Sequence, residues 1–332
     1  MFFLSVSTTS CQIISPLQKL LKSQELVEEA NSYYQVKNYL KAIELYTKAI
    51  ELNPHSQTGF YNRGVCYSKI GDYVNSIKDY TKVIELEPNW YKGYTSRGVV
   101  YTKNGEFDLA IKDLNRAIEL EPNNAINYLN RSFYYGKIEN FDSLLADSVK
   151  TIELNPRNSM AYNNRAFANI QKSNYETVTV DLNKAIELDV KNSLAYNNRG
   201  LFYIKKGEFE TALPEVEKAI EINPELPEAF DNRGLIYFNK GDFEKALLDF
   251  NKAIGLDPKL ALAFVHRGSF FFTKNKIDEA LADFNKAIEI KPNLVEAYEE
   301  RIKIYEKKGE KSKVESEKRK IISLMAKRSS EK

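Results

Sequence analysis

The chain has 332 residues, 43% of them hydrophobic and 28% charged, which is enough for a substantial core and, by length alone, about two domains. Its 48 basic and 46 acidic side chains nearly cancel, so it lacks the basic excess from which a nucleic-acid binder gains by counterion release. Two cysteines, Cys11 and Cys66, form neither a disulfide framework nor a metal-ligand set. No stretch reaches the roughly 18 apolar residues of a membrane-spanning helix.

Residues 1–22 read as an N-terminal tail, disordered or weakly signal-like. The start, MFFLSVSTTSC, is apolar and runs into small residues before Cys11, a pattern that lipid anchoring at that cysteine would share. The segment has no basic leader and its apolar core is very short, so the expected location is cytoplasmic, with anchoring as the alternative.

From residue 23 one period governs the chain. Arginine stands at Arg63, Arg97, Arg131, Arg165, Arg199, Arg233, Arg267 and Arg301, always 34 residues apart. Pro54, Pro88, Pro122, Pro156, Pro224, Pro258 and Pro292 keep that spacing, with Val190 in the one vacant position. Residues 23–328 therefore divide into nine units of 34, starting at 23, 57, 91, 125, 159, 193, 227, 261 and 295, and residues 329–332 are a tail. A residue's place is its position within its unit.

Each unit reads as two helices. In the sixth, Tyr196 to Lys206 is apolar at helical spacing and Gly207 supplies a left-handed stop. A second amphipathic run ends at Asn223-Pro224, because the residue before proline disfavours the α region. Gly71, Gly105, Gly241 and Gly309 repeat the first stop.

The seventh unit carries Phe230, Gly234, Tyr237, Ala246, Phe250, Ala253 and Pro258 at places 4, 8, 11, 20, 24, 27 and 32. The second carries Phe60, Gly64, Tyr67, Ser76, Tyr80, Val83 and Pro88 there. This pattern resembles the tetratricopeptide repeat and covers most of the chain. The resemblance implies an all-α, right-handed superhelical solenoid of about nine helix-turn-helix units. It also implies that the first helices line a concave groove through places 2, 5, 6, 9, 12 and 13. The many tyrosines and phenylalanines, and Cys66 at place 10, are then core.

Three units depart from the pattern. The fourth has Leu144, Ser148 and Thr151 at places 20, 24 and 27, the fifth has Asn169 and Val178 at places 11 and 20, and the sixth has Pro214 inside its second helix. An internal proline costs up to about 3 kcal/mol and kinks a helix. Because a solenoid's stability is roughly a sum over units and interfaces, residues 125–226 are expected to be the softest stretch.

Two rows run beside each other on the first helices. The place-7 arginines are matched at place 23 by Asp79, Asp113, Asp147, Asp181, Glu215, Asp249, Asp283 and Glu317. The first unit lacks both members, carrying Glu29 and Leu45. Structural ion pairs such as Arg199 with Glu215 and Arg233 with Asp249 follow, each within or between units. At place 6 stand Asn62, Ser96, Asn130, Asn164, Asn198, Asn232 and His266, with Asn163 and Asn197 at place 5. Amides both donate and accept, so such a row can pair with an extended peptide backbone. It is similar to the asparagine ladder in the repeat arm of O-linked GlcNAc transferases, whose catalytic domain has no counterpart here. The carboxylate clamp of co-chaperones is matched only by Asn31, Asn62 and Lys92.

Basic Lys92, Lys103, Lys137 and Lys205 precede acidic Glu228, Asp231, Glu296, Glu299 and Glu300 along the expected groove and give it a polarity. A protein or peptide ligand with an acidic stretch over the N-terminal half would complement this polarity. His55 and His266 are the two histidines, and no phosphate loop, metal cluster or nucleophile elbow appears. The reading is a non-catalytic scaffold without cofactor, metal or nucleic-acid partner, expected to be a monomer. The alternative is a self-assembling structural component.

Overall fold

The structure is a computed structural model that describes residues 15–330; Cys11 and the signal-like segment lie outside the described residues. The described residues form 18 α-helices in nine pairs and fall into two compact units that divide between Pro156 and Arg157.

The first unit holds α1 (Pro16–Gln35), α2 (Tyr39–Leu52), α3 (Gln57–Lys69), α4 (Tyr73–Leu86), α5 (Tyr91–Asn104), α6 (Phe107–Leu120), α7 (Ala125–Lys137) and α8 (Phe141–Leu154). The second holds α9 (Ser159–Gln171), α10 (Val178–Leu188), α11 (Ser193–Lys205), α12 (Phe209–Ile222), α13 (Pro227–Asn239), α14 (Phe243–Leu256), α15 (Ala261–Thr273), α16 (Ile277–Ile290), α17 (Val295–Lys307) and α18 (Lys311–Ser330). In each unit the helices pack in chain order, each pair on the next.

Local chemistry sets the boundaries. Asn38, Ser56 and Asp72 cap α2, α3 and α4, each side chain accepting from a backbone N–H of the first turn. Between the two helices of every pair, place 15 is left-handed. Gly71, Gly105, Gly207, Gly241 and Gly309 fill it in five repeats, while Lys37, Glu139, Ser173 and Asn275 adopt the same conformation at φ 57–60°. The turn geometry is therefore imposed by the repeat even where no glycine relieves it.

Small residues at place 8 let the paired helices close. A Cβ on Gly234 would lie 2.7 Å from the Phe250 ring, and one on Gly268 would lie 2.5 Å from Phe284. The last repeat inverts this arrangement. Ile302 takes the small place and is buried, while Lys318 replaces the place-24 aromatic and is exposed.

The ends and the middle differ from the sequence reading. α1 starts at Pro16, inside the expected tail, because Ser15 and Gln18 form a capping box around a proline already suited to the first turn. α18 runs on to Ser330, two residues past the expected end of the ninth unit. α12 passes through Pro214 as one helix with that proline on its exposed side. Buried clusters around Ala166, Ile170, Val178 and Leu182, and around Ala212, Val216 and Leu226, fill much of residues 157–226. The apolar-poor stretch is thus the fourth repeat, where Ser132, Ser148 and Thr151 are fully buried and bond to backbone carbonyls.

Candidate functional site

The arginine row joins the repeats. Each place-7 arginine pairs with the place-23 acid of its own repeat, which settles a point the spacing left open. Arg233 donates Nε to Asp249 Oδ2 at 2.8 Å and Nη2 to Oδ1 at 2.9 Å. The other five Arg–Asp pairs have the same fork. Where the acid is glutamate the fork fails. Arg199 reaches Glu215, and Arg301 reaches Glu317, through Nη2 alone, and both Nε atoms are buried without a partner. The guanidinium also lies against aromatic rings three residues before and four after it, as with Phe230 and Tyr237 around Arg233. A further nitrogen reaches place 25 of the preceding repeat, as with Arg63 to Thr47, Arg131 to Asn115 and Arg267 to Asn251. Paired acids, bonds to the preceding repeat and ring stacking leave this row committed to structure.

The asparagine row is largely committed too. Asn198 Nδ2 donates to Asn163 Oδ1 at 2.8 Å, and Asn232 Nδ2 donates to Asn197 Oδ1 at 2.9 Å, place 6 of one repeat to place 5 of the one before. These four residues are buried. Ser96 and Tyr61 repeat the relation at 3.3 Å, and His266 and Asp231 repeat it as an ion pair at 2.9 Å. Asn62 bonds to Asn31 at 3.0 Å, and Asn163 also donates to Asn164. Asn62, Asn130 and Asn164 stay half-buried. Recurrence of a polar residue on a helix face here reflects repeat-to-repeat bonding, a use that spacing alone does not separate from ligand binding.

The accessible cations form a different row. In the first unit Lys69, Lys103 and Lys137 hold place 13 of consecutive first helices, with Lys92 at place 2, and all four are exposed. Among the described residues none of them has a carboxylate within ion-pair distance. On the second helices, by contrast, Lys82, Arg116 and Lys150 pair with Glu85, Glu119 and Glu153 three residues on. Partial burial, and then the charge of Lys69, hold the Lys103 ammonium below the usual lysine value. One turn before each lysine is an apolar place 9 residue, Val65, Val99 or Phe133, and Phe133 is 38% exposed beneath Lys137. Neither Lys69 nor this apolar row is among the site residues expected from sequence. Their shared place in the repeat is the signal that finds them.

The second unit carries the acids. Glu228, Glu296 and Glu299 are exposed, Glu300 bonds to Lys303, and Lys205 is exposed at place 13. Burial pushes the His266 imidazole down, but the charge and hydrogen bond of Asp231, with Glu296 and Glu300 nearby, outweigh it and raise its pKa above the ordinary value. Cys66 is fully buried, and burial pushes its thiol up to about 11, so it remains a protonated core side chain. Among the described residues no group of three or more His, Cys, Asp or Glu is arranged to hold a metal ion, and no helix is long and apolar enough to cross a membrane.

Models of the tetratricopeptide repeat match residues 24–56, 58–89, 91–124 and 228–260, and related repeat models match 200–241, 268–309 and 182–213. The chain belongs to the tetratricopeptide repeat (TPR) family. This TPR chain is 42% identical over 48 residues to human serine/threonine-protein phosphatase 5, a stretch that is 14% of this chain and 10% of that protein. It is 44% identical over 52 residues to small glutamine-rich tetratricopeptide repeat-containing protein 2 of Mycosarcoma maydis, 16% of this chain and 15% of that one. The chain thus spans a small part of the length of these curated relatives. Among solved structures, a TPR protein from Parabacteroides merdae superposes with a TM-score of 0.62 at 20% identity, covering 79% of this chain and 99% of that one. The Cut9–Hcn1 hetero-tetramer of the APC/C gives 0.63 at 14% identity, covering 92% of this chain and 74% of that one. Family and fold support a scaffold for protein–protein interaction, a class that is typically non-catalytic.

Proposed function

We propose that the first-helix face of the first unit holds an extended, acidic segment of a partner protein. The observation that carries this reading is a contrast in pairing: Lys82, Arg116 and Lys150 on the second helices each meet a glutamate three residues on, whereas Lys69, Lys92, Lys103 and Lys137, gathered on the first helices, meet no carboxylate among the described residues. Burial first, and then the charge of Lys69, depress Lys103, and a ligand carboxylate beside it would offset both. Half-buried Asn62 and Asn130 offer amide groups for the ligand backbone beside them. The apolar residues Val65, Val99 and Phe133 give the segment's alternate side chains a surface.

The spacing defines the ligand further. Packed helices sit about 8–10 Å apart, and an extended chain advances about 3.3 Å per residue, so an acid at every third residue would follow the place-13 lysines. A displayed library of random ten-residue peptides tests this. The wild-type chain should select acids at that interval, and the triple variant Lys69→Glu, Lys103→Glu, Lys137→Glu should not. Selection without acidic enrichment by the wild type would defeat the reading.

A further inference from the structure

The bond that joins consecutive repeats is inverted in charge at the two ends of the array. Inside each unit a place-7 arginine donates to the place-25 side chain of the repeat before it, at 2.7–3.0 Å in Arg63–Thr47, Arg97–Thr81, Arg131–Asn115, Arg199–Asn183, Arg267–Asn251 and Arg301–Asn285. Stacking one repeat on another therefore brings these two places together. In the first repeat place 7 is Glu29, and in the ninth place 25 is Arg319. Both are exposed, and neither meets an opposite charge within ion-pair distance among the described residues.

The apolar surface follows the same logic. Place 28 is an isoleucine that packs on the next first helix, as Ile84 lies against Gly93 and Ile254 joins the cluster around Ala263. In the last repeat place 28 is Ile322, which is 66% exposed, with Met325 at 51% one turn on. On α1, Leu17, Leu20 and Leu21 are also exposed. These residues lie on, or next to, the extra turns that make α1 and α18 the two 20-residue helices, against 11–14 residues for the other described helices.

We propose that α1 of one copy stacks on α18 of a second copy, as a first helix stacks on the repeat before it, with Glu29 meeting Arg319 and the two leucine- and isoleucine-bearing extensions side by side. The contact is heterologous, so a pair of copies still leaves one of each face open and the assembly grows past a dimer, into a filament or a ring. This departs from the monomer expected from sequence. Places 7 and 25 lie off the lysine-bearing face, so the acidic-ligand reading and this one stand or fall separately.

Light scattering and sedimentation of the full chain over a range of concentrations test the proposal. Mass should rise with concentration past that of a dimer. Glu29→Arg and Arg319→Glu should each weaken association about ten-fold, and the double reversal should restore it, with helical content unchanged throughout. Glu29→Ala and Arg319→Ala serve as second variants, expected to weaken association in the same direction. A chain that stays monomeric, stops at a dimer, or associates equally in all variants would overturn the proposal.

Discussion

Arg199 meets Glu215 through a single hydrogen bond, Nη2 to Oε2 at 2.7 Å, and its Nε is buried without an acceptor. Arg233 meets Asp249 through two, with the shorter side chain aligning both oxygens on the fork. One methylene separates the arrangements. Replacing Glu215 with Asp should therefore complete the fork and stabilise the chain by about 1 kcal/mol, the usual value of satisfying a buried donor. A denaturant titration reads this as a higher midpoint at unchanged slope. A lower midpoint would show that the backbone at this repeat places the acid differently.

Ser173 holds a left-handed turn at φ 57° without the relief a glycine gives, while Gly207 holds the same place at φ 77°. Ser173→Gly should stabilise by about 1 kcal/mol, and Gly207→Ala should destabilise by a similar amount. Thermal unfolding of the two variants should shift in opposite directions.

His266 takes the place of a ladder asparagine and bonds to Asp231 at 2.9 Å. Its pKa is raised in the folded chain, so the folded state holds the proton more tightly than the unfolded chain, whose imidazole titrates near 6.5. That stabilisation is fully present below the unfolded value and is lost as pH rises through the folded one. His266→Asn, which restores an uncharged donor to Asp231, should remove this part of the pH dependence. Stability curves of both proteins between about pH 5 and 9 check it, and parallel curves would contradict the assignment.

The asparagine and lysine rows should separate by stability. Asn198→Ala leaves the Asn163 oxygen without its donor in a buried site, a loss of about 1–3 kcal/mol. Lys103→Glu relieves the repulsion from Lys69 and should leave the unfolding midpoint equal or higher while weakening acidic-peptide binding. Equal destabilisation by both would show that Lys103 also supports the fold.

Much of the fold was legible because the repeat writes each packing role at a fixed place. Gly234 beneath Phe250, the proline after seven of the nine second helices and the acid 16 residues after each place-7 arginine all report one geometry repeated. The start of α1 was not legible, since a capping box at Ser15 and Gln18 outweighs the absence of the repeat pattern before residue 23. Nor was the destination of the asparagines. An amide bonded to Asn163 and one free to bind a peptide look alike until the neighbouring helix is in place. Lys92, Lys103 and Lys137 were singled out by charge and Lys69 was not, and only the positions of the surrounding carboxylates show which lysines lack a partner.

The most direct test is a calorimetric titration of the full chain with a ten-residue extended peptide bearing glutamate at every third position, at low and at physiological salt. Binding should be measurable, weaken as salt rises, and be lost in the Lys69→Glu, Lys103→Glu, Lys137→Glu variant at unchanged helical content. Binding that ignores salt, or that survives the charge reversal, would contradict the assignment of this face as the site of an acidic partner.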